Sequence, residues 1–308
     1  MKKTIFFIVI VFLSSLIQAQ EKAITLQTST GNIEGTLLLP LVDKPTVALI
    51  IAGSGATDRD GNSPTLKIDY LKMLAEGLHQ NNIASIRYDK RGVGASIMPG
   101  LKEDDLTFSH YISDVELWIT KIMDDPRFGD IVVIGHSEGS LIGMIASQNK
   151  KPNKFISIAG PGFRMLTTLR RQLGDQPPYI LSMSEPILEK LEKGQMVDSI
   201  PPLLNSLFRP SVQNYLISVS RYDPAVEISK LKCPVLVVQG TTDIQIEVLD
   251  AEKLANANAN SQLAIINGMN HILKEAPENR FLNIQTYGNP DLQIKEELIE
   301  RITSFILD

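Results

Sequence analysis

The feature that most constrains the fold of this chain is a Gly-His-Ser-Glu-Gly pentapeptide at residues 135–139. An apolar run at 131–134 precedes it, and a helix-compatible segment at 140–146 follows it. A strand that turns sharply into a helix brings two backbone segments close together, and glycine on both flanks removes the clash that side chains would cause. The spacing therefore predicts a strained turn with Ser137 at its apex as a candidate nucleophile. The alternative is an ordinary turn with a surface serine.

The rest of the chain alternates between strand-like and helix-like patterns. The later apolar runs are continuous rather than alternating, as in strands that are covered on both faces. Apolar residues with a period of 3.6 lie between several of them, as at 68–78 and 112–122. These patterns predict an α/β protein with a mostly parallel sheet and helices on both faces. The strand-like segments are 23–28, 33–39, 46–52, 83–88, 131–134, 155–159, 235–239 and 263–267.

Residues 160–234 interrupt this alternation, because they contain helical patterns and repeated prolines but no strand pattern. A connection of this length without structure of its own is uncommon in a compact protein. We therefore expect residues 162–222 to form a helical cap, and residues 20–161 and 223–308 to form the core domain.

Residues 1–19 have the composition of a secretory signal peptide. Lys2 and Lys3 provide a positive start, residues 4–17 are almost wholly apolar, and Ala19 is a small residue before a cleavage site. The apolar segment is shorter than the roughly 20 residues that span a bilayer, although an uncleaved anchor is the alternative. We expect cleavage after Ala19 and an exported protein, either periplasmic or secreted.

Composition excludes several classes of partner. The formal charge of the whole chain is −5, and it becomes −7 without Lys2 and Lys3. With no basic face in the sequence, we expect no binding to nucleic acid and no attraction to anionic membranes after cleavage. Cys233 is the only cysteine, so no intrachain disulfide can form. We expect its thiol to be buried and inert.

A serine nucleophile requires a base, and the base requires an acid that orients it. In sheets that carry this strand–serine–helix turn, the chain order is serine, acid, histidine. His271 is the only one of the four histidines that follows Ser137. It comes just after the apolar run at 263–267, and the loops at the carboxyl ends of strands are where functional groups of such sheets converge. The order therefore predicts His271 as the base.

The acid should follow another strand, and Asp243 comes shortly after the run at 235–239. Asp223 lies ahead of that strand, where it can cap the helix that follows. Glu247 and Asp250 fall in an expected helix, and Glu247 is the second choice. We therefore predict a triad of Ser137, Asp243 and His271.

Acyl transfer also requires donors for the developing oxyanion. We predict that these are the backbone N–H groups of Glu138, directly after the nucleophile, and of Ser54, in a Gly-Ser-Gly turn after the run at 46–52. A phosphate-binding turn is the alternative for the second, but the lysine of a Walker loop is missing. Residues 58–62 match a calcium loop poorly, so we expect no metal there. We expect the charges of the 88–96 loop to form internal ion pairs.

Together these residues resemble the α/β-hydrolase superfamily over residues 31–306. The resemblance implies eight central strands, a cap after the sixth strand, and hydrolysis without a cofactor. The Gly-Ser-Gly turn followed by Asp-Arg-Asp-Gly at 58–61 is similar to exported bacterial carboxylesterases of this fold. The motifs that carry the resemblance lie at 52–55, 88–96, 135–139, 240–243 and 270–271.

The expected function is hydrolysis of small-molecule carboxylic esters through an acyl-enzyme intermediate. A serine aminopeptidase or amidase of the same fold is one alternative, and it would need an acidic group in the cap, such as Glu185, Glu189 or Glu192, to bind the substrate's ammonium. The other alternative is a non-catalytic binding protein, which would usually lack a triad member.

Overall fold

The computed structural model describes residues 21–308, so the predicted signal peptide and its cleavage site lie outside the described residues. Within this part of the chain, no helix is long and apolar enough to cross a membrane. Eight strands form one sheet. They are β1 (Glu21–Thr28), β2 (Gly31–Leu38), β3 (Val47–Ile51), β4 (Ala84–Tyr88), β5 (Ile131–His136), β6 (Lys154–Ile158), β7 (Val235–Gly240) and β8 (Ser261–Ile266).

The order of strands in the sheet is β1-β2-β4-β3-β5-β6-β7-β8. The hairpin of β1 and β2 pairs antiparallel, and β2 is also antiparallel to β4. Every later pair is parallel. All residues of β3, β4, β5 and β7 are buried, which explains why these segments are apolar without alternation. The prediction of a mostly parallel, eight-stranded sheet is confirmed.

Helices connect the strands and cover both faces of the sheet. They are α1 (Tyr70–Gln80), α2 (Phe108–Met123), α3 (Glu138–Lys150), α4 (Met165–Gly174), α5 (Pro178–Glu192), α6 (Asn205–Phe208), α7 (Pro210–Val219), α8 (Pro224–Ser229), α9 (Val248–Ala257), α10 (Arg280–Thr286) and α11 (Glu296–Leu307). Two 3₁₀ turns lie at Glu103–Asp105 and Pro202–Leu204.

Two apolar clusters, one on each face, hold these helices to the sheet. Trp118 of α2 and Leu141 of α3 belong to one cluster. Leu74 of α1 and Ile302 of α11 belong to the other. Because burial of apolar surface is the main favourable term in folding, these two clusters fix the sheet against its helices.

Helices α4 to α7 lie between β6 and β7, which confirms the helical insert after the sixth strand. They have an apolar cluster of their own, which includes Leu173, Leu188 and Phe208. The domain boundaries at 162 and 222 stay a prediction. Cys233 is half-buried rather than buried, because it lies in the connection that enters β7 and not in the strand.

Candidate active site

Ser137 lies at the sharp turn from β5 into α3, with φ 53° and ψ −125°. Such positive φ values are uncommon for residues other than glycine. A Cβ atom on Gly135 would lie 2.4 Å from the carbonyl oxygen of Gly139, and one on Gly139 would lie 2.4 Å from that of Ile51. The two glycines therefore allow the backbone to make this turn, as the pentapeptide predicts.

The structure brings the three predicted triad residues together. His271 Nε2 lies 3.1 Å from Ser137 Oγ, and His271 Nδ1 lies 2.8 Å from Asp243 Oδ2. Both distances are within hydrogen-bond range. Ser137 follows β5, Asp243 follows β7 and His271 follows β8, so each side chain comes from the carboxyl end of a strand. In this arrangement the serine hydroxyl can donate to Nε2, while Nδ1–H donates to the carboxylate.

The carboxylate of Asp243 is held in place by several donors besides His271. The backbone N–H groups of Gln245 and Ile246 donate to Oδ1 at 2.8 and 3.0 Å, and Gln239 Nε2 donates to Oδ2 at 3.1 Å. Burial acts to raise the pKa of Asp243, but the charge of His271 and these hydrogen bonds hold that pKa below its ordinary value. The group is therefore ionised at neutral pH and accepts hydrogen bonds only.

The competing acids have other partners. Asp223 caps α8, where its Oδ1 accepts a hydrogen bond from Ala225 N–H, as expected for the residue ahead of a helix. Glu247 and Asp250 form a capping box at the start of α9, and both also bind Arg171. None of these three carboxylates bonds to His271 in the part of the chain that the structure describes.

The sequence did not point to a role for His136, the second residue of the pentapeptide. Its Nε2 lies 2.8 Å from the carbonyl oxygen of His271, and its Nδ1 lies 3.2 Å from Tyr70 Oη. A carbonyl only accepts, so Nε2 carries the proton and Nδ1 accepts from the tyrosine hydroxyl. Burial and the proximity of His271 lower the pKa of His136 to about 3, so the ring is neutral. His136 thus holds the backbone of the candidate base.

The two predicted oxyanion donors are free to bind a ligand. Within residues 21–308, neither Ser54 N–H nor Glu138 N–H donates a hydrogen bond to the protein. Glu138 is the first residue of α3, where the helix dipole also favours negative charge. A Cβ atom on Gly53 would lie 3.1 Å from Ser137 Cβ, so the Gly53–Ser54 segment lies against the nucleophile.

A cavity of about 280 Å³ adjoins this site. The loop after β3, the loop after β4 and helix α7 form much of its wall. Glu138, the residue directly after the nucleophile, forms part of this wall. Its lining residues are Gly55, Ala56, Lys90, Arg91, Gly92, Val93, Leu101, Glu103, Leu106, Tyr111, Glu138, Arg209, Val212 and Tyr215.

Three buried charged residues, Lys90, Arg91 and Glu138, line this cavity, and Arg91 forms an ion pair with Asp114. Burial lowers the pKa of Lys90 to about 8, although the nearby Glu138 opposes that shift. Burial also raises the pKa of Glu138, and Lys90 opposes that shift in turn. The sequence suggested an internal ion pair for Lys90 and no role for the Glu138 side chain, because only the folded chain places these two groups near each other.

The loops at 58–62 and 88–96 bind to each other through ion pairs. Asp89 Oδ2 lies 2.6 Å from Arg59 Nη2, which joins the two loops, and Asp60 Oδ1 lies 2.8 Å from Nε of Arg87 in β4. Asp58 Oδ1 accepts from two backbone N–H groups of its own loop. These carboxylates therefore have protein donors. Of the charges in the 88–96 loop, Asp89 and Arg91 form ion pairs as expected, whereas Lys90 bonds to the Gly53 carbonyl instead.

The sequence is similar to known hydrolases. The family model for serine aminopeptidase, S33, matches residues 68–194. Esterase EstD of Thermotoga maritima is 26% identical in an alignment of 267 residues that covers 82% of this chain and 60% of that protein. The chain therefore spans less than two thirds of the length of this curated relative.

Solved structures agree on the fold. Est1E from Butyrivibrio proteoclasticus, determined with ferulic acid bound, gives a TM-score of 0.62 at 17% identity, covering 92% of this chain and 98% of that one. Proline iminopeptidase from Mycobacterium smegmatis gives 0.61 at 12% identity, covering 93% and 98%. Such low identities are evidence of fold alone. With the sheet order and the serine turn, they show that the chain has the α/β-hydrolase fold.

Proposed function

We propose that the protein is a serine hydrolase that cleaves carboxylic esters through an acyl-enzyme intermediate. The observation that carries this proposal is the hydrogen-bonded series of Ser137, His271 and Asp243. It lies next to two backbone N–H groups that have no hydrogen-bond partner in the described residues. Acyl transfer requires a nucleophile with its base, an acid that orients the base, and donors for the oxyanion. The similarity to an esterase over 82% of the chain supports the same reaction class.

In this mechanism His271 Nε2 removes the proton from Ser137 Oγ as the oxygen attacks the acyl carbon. The N–H groups of Ser54 and Glu138 bind the oxyanion of the tetrahedral intermediate. His271 then protonates the leaving alcohol, and the acyl group remains on Ser137. A water molecule attacks the acyl-enzyme in the same manner, and the acid is released. Asp243 keeps the proton of neutral His271 on Nδ1 and stabilises the imidazolium.

The aminopeptidase alternative has some support from the family model that matches residues 68–194. The contacts of the cap weaken it. Glu185 and Glu192 both bind Arg170, at 3.0 and 2.8 Å, whereas Glu189 is exposed and forms no ion pair within residues 21–308. None of the described residues of α5 lines the cavity that adjoins Ser137. Within the cavity, Glu103 bonds to Arg209 and Glu138 lies near Lys90. A substrate ammonium would thus have to compete with a protein cation at each of these carboxylates except that of Glu189.

We expect p-nitrophenyl esters of short acyl chains to be hydrolysed at least 100-fold faster, in kcat/KM, than aminoacyl p-nitroanilides. The physical reason is that the cavity offers an ester a partly apolar wall, but offers an ammonium no carboxylate without a neighbouring cation. The measurement is a matched pair of ester and anilide series on the full chain. Faster cleavage of the anilides would support the aminopeptidase instead. Failure of a fluorophosphonate probe to label Ser137 would support the non-catalytic binding protein.

We also propose that the enzyme is exported and acts in the periplasm or outside the cell. The support is the pattern of residues 1–19, with its basic start, apolar segment and small residue before the cut. Expression of the full chain in a bacterial host should yield a mature protein whose first residue is Gln20, as determined by N-terminal sequencing of the extracytoplasmic fraction. Changing Ala19 to a bulky residue should block this processing. An intact N-terminus in the cytoplasmic fraction would contradict export.

A further inference from the structure

The ammonium group of Lys90 makes an unusual contact. Lys90 is 2% exposed, and the one hydrogen bond found for its Nζ within residues 21–308 goes to the carbonyl oxygen of Gly53. Burying an ammonium is costly, because the protein replaces its hydration poorly. A neutral donor would satisfy a single carbonyl at a lower cost. A single hydrogen bond to one buried carbonyl therefore does not explain why a charged ammonium is buried here.

The carbonyl that Lys90 binds belongs to the peptide that carries a candidate oxyanion donor. The C=O of Gly53 and the N–H of Ser54 are parts of one planar peptide unit, and in a trans peptide they point in opposite directions. A hydrogen bond to the oxygen thus fixes the direction of the N–H. We propose that Lys90 is a positioning residue that holds and polarises the Gly53–Ser54 peptide for oxyanion binding. This inference rests on the proposed function.

A cation at the carbonyl end also strengthens the donor at the other end. It draws electron density toward the oxygen through the amide resonance, which leaves the N–H more positive. Hydrogen bonds in series polarise one another, and the effect is larger where the local dielectric constant is low. Donors that are oriented before the reaction begins contribute most to oxyanion stabilisation. Lys90 therefore supports both the orientation and the strength of Ser54 N–H.

Lys90 is linked to the second donor as well. Glu138 provides the other N–H without a hydrogen-bond partner in residues 21–308. The residue is 4% exposed, and its carboxyl group lies close enough to Lys90 that the ammonium lowers its pKa against the effect of burial. In this way one ammonium group contacts the turn after β3 and lies beside the start of the helix after the nucleophile.

We expect Lys90→Met to lower kcat by about 10- to 100-fold with KM within about threefold, since full removal of one oxyanion donor costs about 10²- to 10³-fold. The substrate is p-nitrophenyl butyrate. The second readout is inhibition by an alkyl trifluoromethyl ketone, to which Ser137 adds to form a tetrahedral oxyanion. Its inhibition constant should rise by the same factor as kcat/KM falls. The proportionality is the signature of a transition-state interaction.

Lys154→Met is the matched control. Lys154 Nζ also donates to backbone carbonyls, those of Phe305 and Ile306. Lys154 lies at the start of β6, however, whereas Ser137 follows the carboxyl end of the parallel strand β5. This variant should keep the kcat and the ketone inhibition of the wild type. Should Lys90→Met fail to fold, Lys90→Gln replaces it, because its amide can donate to a carbonyl but carries no charge.

The inference is wrong if a folded Lys90 variant keeps kcat within threefold of the wild type. It is also wrong if the variant raises KM and the ketone inhibition constant equally while kcat is unchanged, since that pattern indicates a general effect on binding. The proposed function fails on a different result, which is wild-type protein whose Ser137 is not labelled by a fluorophosphonate. The two failures are therefore distinguishable.

Discussion

Ser137→Ala should lower kcat/KM for p-nitrophenyl butyrate by about 10⁴-fold or more, because the variant has no atom that can form the acyl-enzyme. His271 Nε2 lies 3.1 Å from Ser137 Oγ, and no other hydroxyl in the described residues bonds to that nitrogen. Residual turnover should come only from water that the remaining groups activate. The measurement is steady-state kinetics on the full chain, with spontaneous hydrolysis subtracted.

The same change should also abolish labelling by a fluorophosphonate, because the probe reacts with the serine oxygen. Thermal unfolding should change little, since Ala keeps the backbone of the turn and removes one hydroxyl. Ser304→Ala, on the exposed side of α11, is the matched control and should keep the activity and labelling of the wild type. A Ser137→Ala protein that retains a tenth of the activity would rule out Ser137 as the nucleophile.

The elements that sequence alone could predict are those with local signals. The strand pattern of β5, the two glycines and the helical pattern of α3 are contiguous, and together they specify the turn at Ser137. His271 could be predicted because the expected chain order left no other histidine. These signals depend on spacing along the chain, which a sequence shows directly.

The contacts that sequence could not predict join distant parts of the chain. His136 holds the carbonyl of His271 across 135 positions, and Lys90 binds the carbonyl of Gly53 across 37. Nothing in the local pattern of a histidine or a lysine tells which backbone oxygen it meets. The charge of Lys90 suggested an internal ion pair within its loop, whereas its hydrogen bond goes to the Gly53 carbonyl and Glu138 is a charged neighbour.

The triad acid depends both on a local signal and on a contact between distant parts of the chain. Asp243 and Glu247 both follow β7 by a few residues, and sequence order alone leaves both available. In the structure, the N–H groups of Gln245 and Ile246 turn the Asp243 carboxylate inward. Short acidic side chains commonly bond to backbone N–H groups two or three residues ahead, so the local chemistry favours the aspartate. The contact with His271, however, appears only in the fold.

Asp243→Asn should lower kcat by about 10⁴-fold at neutral pH while the geometry of the site is kept. The amide oxygen can still accept from the N–H groups of Gln245 and Ile246, so the NH₂ group faces His271. An NH₂ group only donates, and it therefore favours the tautomer in which Nδ1 of His271 accepts and the proton lies on Nε2. That proton faces Ser137, and the imidazole can no longer act as the base.

The surroundings of Asp243 can accommodate this change. In the wild type, Gln239 Nε2 donates to the Asp243 carboxylate, and Gln239 Oε1 has no hydrogen-bond partner within residues 21–308. Rotation of that amide by 180° would present Oε1 to the new NH₂ group but would end the Nε2 hydrogen bond to the Ile246 carbonyl, so the variant should fold with a somewhat lower thermal midpoint than the wild type. Glu247→Gln is the matched control, since Glu247 is exposed and binds Arg171, and its kcat should stay within about twofold. A larger loss in Glu247→Gln than in Asp243→Asn would reassign the acid to the capping residue of α9.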